Sequence, residues 1–237
     1  MINIVVPMAG AGSRFVIEGF NKPKPFIDIN GKTMIERVLD GLQYDGAHYI
    51  LIIQEAFQKH YSDTLQYISK NYPVQFISVN GMTMGAACTA LSAHAYIYDN
   101  TPVIFADCDN IFQSGTVEKL FSDAQSRNIQ GSLLTFNSSD DCYSYALVDK
   151  RGHVINTREK EVISSHAIAG LYYFSQGRDF VACAIDMMIY GGVTKNEYFM
   201  SNVYNYSYKR GMITGIYEIE NNTWSCVGTP KQLKEFI

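Results

Sequence analysis

Ile2-Asn3-Ile4-Val5-Val6-Pro7-Met8-Ala9-Gly10-Ala11-Gly12-Ser13-Arg14 opens the chain and changes character midway. Ile2 to Pro7 is a short apolar run rich in β-branched residues, which reads as a buried strand. Met8 to Arg14 is a loop of small residues ending in a cation. Glycines placed directly after a strand let the backbone approach a ligand closely, and consecutive amides can form a nest for an anion. Two familiar phosphate loops do not fit. A dinucleotide fingerprint would place a third glycine where Phe15 stands, and a P-loop would require Gly-Lys-Ser/Thr. A tight turn or a phosphate cradle of another type remains.

Outward from this stretch, short apolar runs alternate with helical patterns. Thr33 to Gln43 carries Met34, Ile35, Val38, Leu39 and Leu42 on one helical face, Tyr49 to Ile53 reads as a strand, and a helix runs on through Tyr67. Val74 to Val79 is a strand, Gly85 to Tyr98 an alanine-rich helix, and Val103 to Ala106 a fourth strand. Strands and helices alternating at this spacing predict βαβ units and a mainly parallel sheet. The second half is less regular. Tyr145–Asp149 and His153–Asn156 read as a hairpin about Lys150-Arg151-Gly152. Ala167 to Phe174 and Ile213 to Ile219 read as strands and Phe180 to Tyr190 as a helix. Thr229-Pro230 suits the N-cap and first position of a last helix. No repeat or linker is visible. The expectation is a single Rossmann-like α/β domain over 1–237 with a mainly parallel or mixed sheet. Residues 1–115 would bind nucleotide, and a β-rich part over 130–228 would bind the acceptor.

Composition narrows the function. A net charge of −4 argues against a general nucleic-acid or anionic-membrane binder, so phosphate chemistry must come from local cations. Five dispersed cysteines without a CxxC predict a reduced, cytoplasmic protein. Neither a signal-peptide pattern at the N-terminus nor an apolar run long enough for a membrane span is present.

Two further clusters follow the glycine loop. Asn21-Lys22-Pro23-Lys24-Pro25-Phe26 interleaves cations with prolines, which predicts an extended, stiff segment presenting Lys22 and Lys24 to a polyphosphate. Asp107-Cys108-Asp109 closes the apolar strand Val103–Ala106, at the carboxyl edge where α/β sheets place ligands. Aspartate is a hard oxygen ligand suited to Mg2+. The histidines lack metal spacing, and Ser164 and Ser165 lack a nucleophile-elbow sequence.

The order Ala9-Gly10-x-Gly12-x-Arg14, Lys22-Pro23-Lys24-Pro25 and Asn30-Gly31-Lys32-Thr33-Met34-Ile35 resembles the sugar-phosphate nucleotidyltransferases, the pyrophosphorylases and cytidylyltransferases with a GT-A-like core. The likeness continues through Gly85-Ala86-Ala87, Asp109-Asn110-Ile111-Phe112 and Glu159-Lys160 to Trp224 and Gly228-Thr229-Pro230. It implies that the loop Met8, Ala9, Gly10, Ala11, Gly12, Ser13 meets the nucleotide, with Arg14, Lys24 and Lys22 on its phosphates. Thr83, Gly85 and Ala86 would approach base and ribose. Asp109, in the better register, and Asp107 would hold Mg2+, completed by Asn205 in preference to Asn202. Lys160 would reach the acceptor phosphate and Glu197 its hydroxyls. Apart from the resemblance, the tyrosines read as half-buried packing residues, with Tyr172, Tyr173 and Tyr198 as candidates to line the acceptor pocket. Glu161 stands where the family usually has proline, which loosens the placement of Lys160.

The implied reaction joins a nucleoside triphosphate, CTP by slight preference, to a phosphorylated small acceptor such as a sugar or polyol phosphate of envelope or capsule synthesis, releasing pyrophosphate. Nucleic acid and membrane are not expected partners, and a homodimer is open. A GT-A glycosyltransferase and a catalytically silent nucleotide sensor are the alternatives.

Overall fold

Period-two alternation in the first strand sets the two faces of the sheet. β1 (Ile2–Pro7) sends Ile2, Ile4 and Val6 into one apolar cluster and Val5 into another across the sheet, as successive strand side chains must. The structure is a computed structural model describing residues 1–237. Its central sheet has nine strands, continuing with β2 (Ala47–Gln54), β3 (Val74–Val79), β4 (Val103–Ala106), β5 (Gly131–Asn137), β6 (Ser144–Val148), β7 (Val154–Glu159), β8 (His166–Phe174) and β9 (Thr214–Ile219). The path runs β7-β6-β8-β4-β1-β2-β3, and β5 pairs with both β8 and β9.

Through β4 every pairing is parallel: β1 lies between β2 and β4, with β3 outside β2. Beyond β4 the sheet is mixed. β8 runs antiparallel to β4, β5 and β6, and β9 returns parallel to β5. Helices cover both faces. Val38, Leu39, Leu65, Ile68, Val117 and Leu120 fill one cluster, and Ala87, Ala90, Phe180, Val203 and Tyr204 fill the other. Burial on both faces is why the central strands read as near-continuous apolar runs.

The helix expected from Thr33 occupies Met34–Gly41, with Thr33 just outside it. Thr33 is its N-cap: the Glu36 amide donates to Thr33 Oγ1 at 3.4 Å and the Thr33 amide to Glu36 Oε2 at 2.8 Å, a reciprocal capping box. The helix expected over Gly85–Tyr98 is broken into Ala86–Leu91 and His94–Ile97. The amides of Ser92 and Ala93 reach back three residues, to Thr89 and Ala90, and that tightening ends an α-helix. The helix drawn through Tyr67 is also two, Glu55–His60 and Ser62–Asn71. Tyr61 leaves helical geometry between them, with its ring packed on Phe26 and Phe57. The hairpin forms with its first arm shifted by one residue and its second arm longer, and Asp149 Oδ1 accepts from the amides of Arg151 and His153 to hold its turn.

Three of the longer elements had no counterpart in the sequence reading: Thr116–Ser126, β5 and Met200–Lys209. The last is rich in Asn, Ser and Tyr, which are poor helix formers. Burial of Met200, Val203, Tyr204 and Tyr206 holds it helical. The Lys-Pro segment also differs from expectation. It is not extended throughout: Lys24–Phe26 makes one 3-10 turn. Pro25 lies at its start, where a missing N–H leaves no helical bond unmade.

Candidate active site

The glycine loop is held from below and left open above. The Met8 amide donates to Ile52 O at 2.9 Å, and Gln54 Nε2, at the end of β2, donates to Ala9 O at 2.8 Å. The amides of Gly10, Ala11 and Gly12 make no hydrogen bond within the protein. Gly12 has φ +60, and a Cβ there would lie 2.9 Å from Lys24 Cβ. This close approach seats the loop on the Lys-Pro segment.

Lys24 joins the loop to the acids, because its ammonium is ion-paired with Asp109 Oδ2. Burial is the largest single influence and works to lower the lysine's pKa, but the combined effect of its neighbours, the Asp109 carboxylate foremost, raises the group above the usual lysine range. Asp107 is different. Burial and then the charge of Asp109 push its carboxyl up to about 8, against the pull of Lys24. The Tyr172 phenol donates to Asp107 Oδ2 at 3.4 Å, and burial, then Asp107, keep that phenol protonated. Two glycines make room for the acids. A Cβ on Gly170 (φ +87) would strike Asp107 and Asn110, and one on Gly228 would strike Asp109.

The backbone around this centre is pinned by long-range contacts. One edge of β8 is shared, Ala167 pairing with β6 and Leu171–Phe174 with β4. In the gap between them the Asp107 amide donates to Gly170 O at 2.9 Å. Beyond Asp109, Asn110–Phe112 pairs antiparallel with Trp224–Cys226, and the Val227 amide donates to Asp109 O at 2.8 Å. The thiols of Cys108 and Cys226 are each pushed up to about 12, mainly by burial. They stay protonated, so no thiolate nucleophile is present.

Thr83, Gly85 and Ala86 form a second loop docked on the segment carrying Glu197. Tyr198 donates its amide to Met84 O at 2.8 Å and accepts from the Ala87 amide at 3.1 Å. Gly85 (φ +107) admits no Cβ, since the Tyr198 backbone would stand 2.7 Å away. The Thr83 hydroxyl is engaged internally, with Gly85 O and Thr89. Across the acids, Glu159 accepts a hydrogen bond from Ser144 and lies near enough to Asp107, Lys160, Lys195 and Glu197 to feel their charges. Lys160 is half-buried with φ +54, and Glu197 is exposed in a turn closed by mutual backbone bonds with Thr194. Arg14 and Lys22 are exposed, and their side chains make no ion pair or hydrogen bond within the protein.

The two asparagines expected at a metal are engaged elsewhere. Asn205 clamps the backbone of Thr157, accepting from its amide at 2.7 Å and donating to its carbonyl at 3.1 Å. Asn202 donates to Thr194 Oγ1 at 3.0 Å. Neither hydrogen-bonds to the acids, and no three His, Cys, Asp or Glu side chains converge as a metal cage. Gln54 and Gly170 carried no sequence expectation. A polar residue closing the apolar strand Tyr49–Ile53 at the carboxyl edge was a signal for Gln54; Gly170 had none.

Residues 4–168 match the family of MobA-like NTP transferase domains. A 53-residue stretch is 45% identical to 2-C-methyl-D-erythritol 4-phosphate cytidylyltransferase of Rhodococcus opacus and 43% to that of Rhodococcus jostii. The stretch is 22% of this chain and 22% of those relatives, so the match spans about a fifth of their length. Among solved structures, a nucleoside-diphosphate-sugar pyrophosphorylase from Vibrio cholerae RC9 superposes with TM-score 0.85, covering 98% of both chains at 20% identity. The inositol-1-phosphate CTP transferase of T. maritima superposes with TM-score 0.77, covering 99% of this chain and 93% of its own at 16% identity. These likenesses are of fold. The match over most of the length, on a fold shared from end to end, makes this chain a member of the MobA-like NTP transferase domain family.

Proposed function

We propose that the protein is a nucleotidyltransferase that joins a nucleoside triphosphate to a phosphorylated small acceptor and releases pyrophosphate. The observation that carries this reading is Lys24. It is seated against a loop of unpaired amides on one side and bonded to Asp109 of the acid pair on the other. The triphosphate would lie on the amides of Gly10 to Gly12, with Arg14 and Lys22 free to meet its outer phosphates. The acceptor would enter from the side of Glu159, Lys160, Tyr172 and Glu197.

A phosphate monoester has a second pKa of about 6, so its attacking oxygen is already largely ionised near neutrality and needs no general base. Attack on the α-phosphorus moves charge onto the departing pyrophosphate, where a fixed ammonium binds the transition state better than the ground state. Lys24, held by Asp109 and preceded by proline, is such a group.

The acids fit a divalent cation. Asp107 and Asp109 repel each other, Lys24 compensates one of them, and glycines clear the space beside both. A cation held by two carboxylates, phosphate oxygens and water is the usual situation of magnesium. When bound, it would supply charge neutralisation at the phosphate oxygens. Asn205 has no part in this proposal, because its carboxamide already clamps Thr157.

CTP is the favoured triphosphate, supported by the two cytidylyltransferases that share the 53-residue stretch. Pyrophosphate release from four triphosphates against a panel of phosphorylated acceptors, with magnesium, tests the reading. Release that requires both substrates is expected. Consumption of a nucleotide-sugar without any use of triphosphate would favour a glycosyltransferase instead.

A further inference from the structure

Gln54 is assigned no part in the chemistry above, yet it is the side chain that ties β2 to the glycine loop. Its Nε2 donates to Ala9 O, 45 residues away in sequence, at 2.8 Å. In a trans peptide the carbonyl and the following N–H point in opposite directions, and the chain has no cis peptide bond. With Ala9 O turned to Gln54, the Gly10 N–H must face the other side of the loop, where it has no protein partner. The residue after this peptide is glycine, which tolerates either sign of φ. A flip of the Ala9–Gly10 plane therefore meets little local resistance, and one side-chain hydrogen bond selects its direction.

We propose that Gln54 is a positioning residue for the nucleotide, holding the Ala9–Gly10 peptide so that the Gly10 amide faces the triphosphate. The inference rests on the transferase reading, but its test separates the two. Gln54 is half-buried and lines a surface cleft of about 650 Å³ with Gln58, Lys59 and Asn80. Gln54→Met, which keeps the length and removes the donor, should leave the fold intact.

Calorimetric titration with CTP, ATP, GTP and UTP, each with magnesium, reads the effect. For the triphosphate that wild type binds, Gln54→Met should weaken affinity about tenfold, the scale of one hydrogen bond to a charged group. KM for the triphosphate should rise by a similar factor while kcat changes less than about twofold, since Lys24 is untouched. The decisive arm is a double-mutant cycle with Gly10→Ala. Gly10 has no positive φ, and a Cβ there meets nothing within 4 Å. A flip would drive its φ positive, which alanine resists. Gln54→Met should therefore cost less than about threefold in the Gly10→Ala background. Equal affinity of Gln54→Met and wild type, or an equal cost in both backgrounds, overturns the positioning role alone. Absence of triphosphate binding by wild type overturns the transferase reading along with it.

Discussion

Residues 8–14 and the segment from Thr157 to Tyr198 flank the same two aspartates but reach them by different routes. The glycine loop follows β1 without interruption, and Ile52 and Gln54, at the end of the neighbouring parallel strand β2, hold it by hydrogen bonds. Its amides already lie free, and the cation beneath it is already paired. The other flank is assembled from pieces distant in sequence. Gly170 makes room for Asp107, Tyr172 bonds to it, Ser144 bonds Glu159, and Tyr198 docks on the loop of Gly85. Several of its charged groups, Glu197 and Lys195 among them, are exposed. On the proposed reading, polyphosphate binding falls to the preformed flank and acceptor choice to the assembled one.

The sharpest way to break this division is at the acids both flanks share. Asp109→Ala removes the partner of Lys24 and a proposed cation ligand together. Turnover should fall on the order of 10³-fold, the upper range for loss of a preorganised charge, with thermal unfolding little changed. Asp107→Ala should lose about tenfold less. Full activity of the Asp109 variant in chelator would remove the cation from the account.

Lys24→Ala isolates the preformed flank. We expect kcat to fall roughly 10²–10³-fold and KM for the triphosphate to move little, because the loop amides remain. Lys22→Ala, exposed and unpaired, should cost only a few-fold. Steady-state kinetics in which Lys22→Ala is the more damaged would mean that the clamp is misplaced.

On the assembled flank, Gly170→Ala puts a methyl at φ +87 against Asp107 and Asn110. Steric strain and overpacking should destabilise by about 2–3 kcal/mol, lowering the melting temperature by about 5–10 °C. An unshifted melting curve would show that the acids can move aside. Tyr172→Phe is the milder change on this flank. Losing one hydrogen bond to Asp107 should lower kcat/KM for the acceptor about 3- to 10-fold and leave KM for the triphosphate alone. An equal rise in both KM values would erase the division between the flanks.

The same division governs what was legible in the amino-acid sequence. β1, β2, β3 and β4 could be read because each is a local apolar run. The glycine loop, Lys24 and the Asp107–Asp109 pair could be placed because each closely follows a strand or a proline. Gly170 and the Ser144–Glu159 bond could not, because their meaning depends on which distant backbone they face. Met200–Lys209 was hidden by its own residues, whose helical state comes from burial. Asn205 shows the opposite difficulty. A polar side chain that reads as a ligand also serves as a backbone clamp on β7, a use its sequence surroundings do not announce.

The central claim is attack on the α-phosphorus across Lys24 and Asp109, and phosphorus-31 NMR of the wild-type reaction tests it most directly. With CTP, magnesium and an accepted phosphorylated substrate, the account predicts that signals of a diphosphate-linked product and of pyrophosphate grow together, one for one, with no nucleoside diphosphate. Growth of nucleoside diphosphate, orthophosphate or a γ-phosphorylated acceptor would place the cleaved bond elsewhere and contradict it.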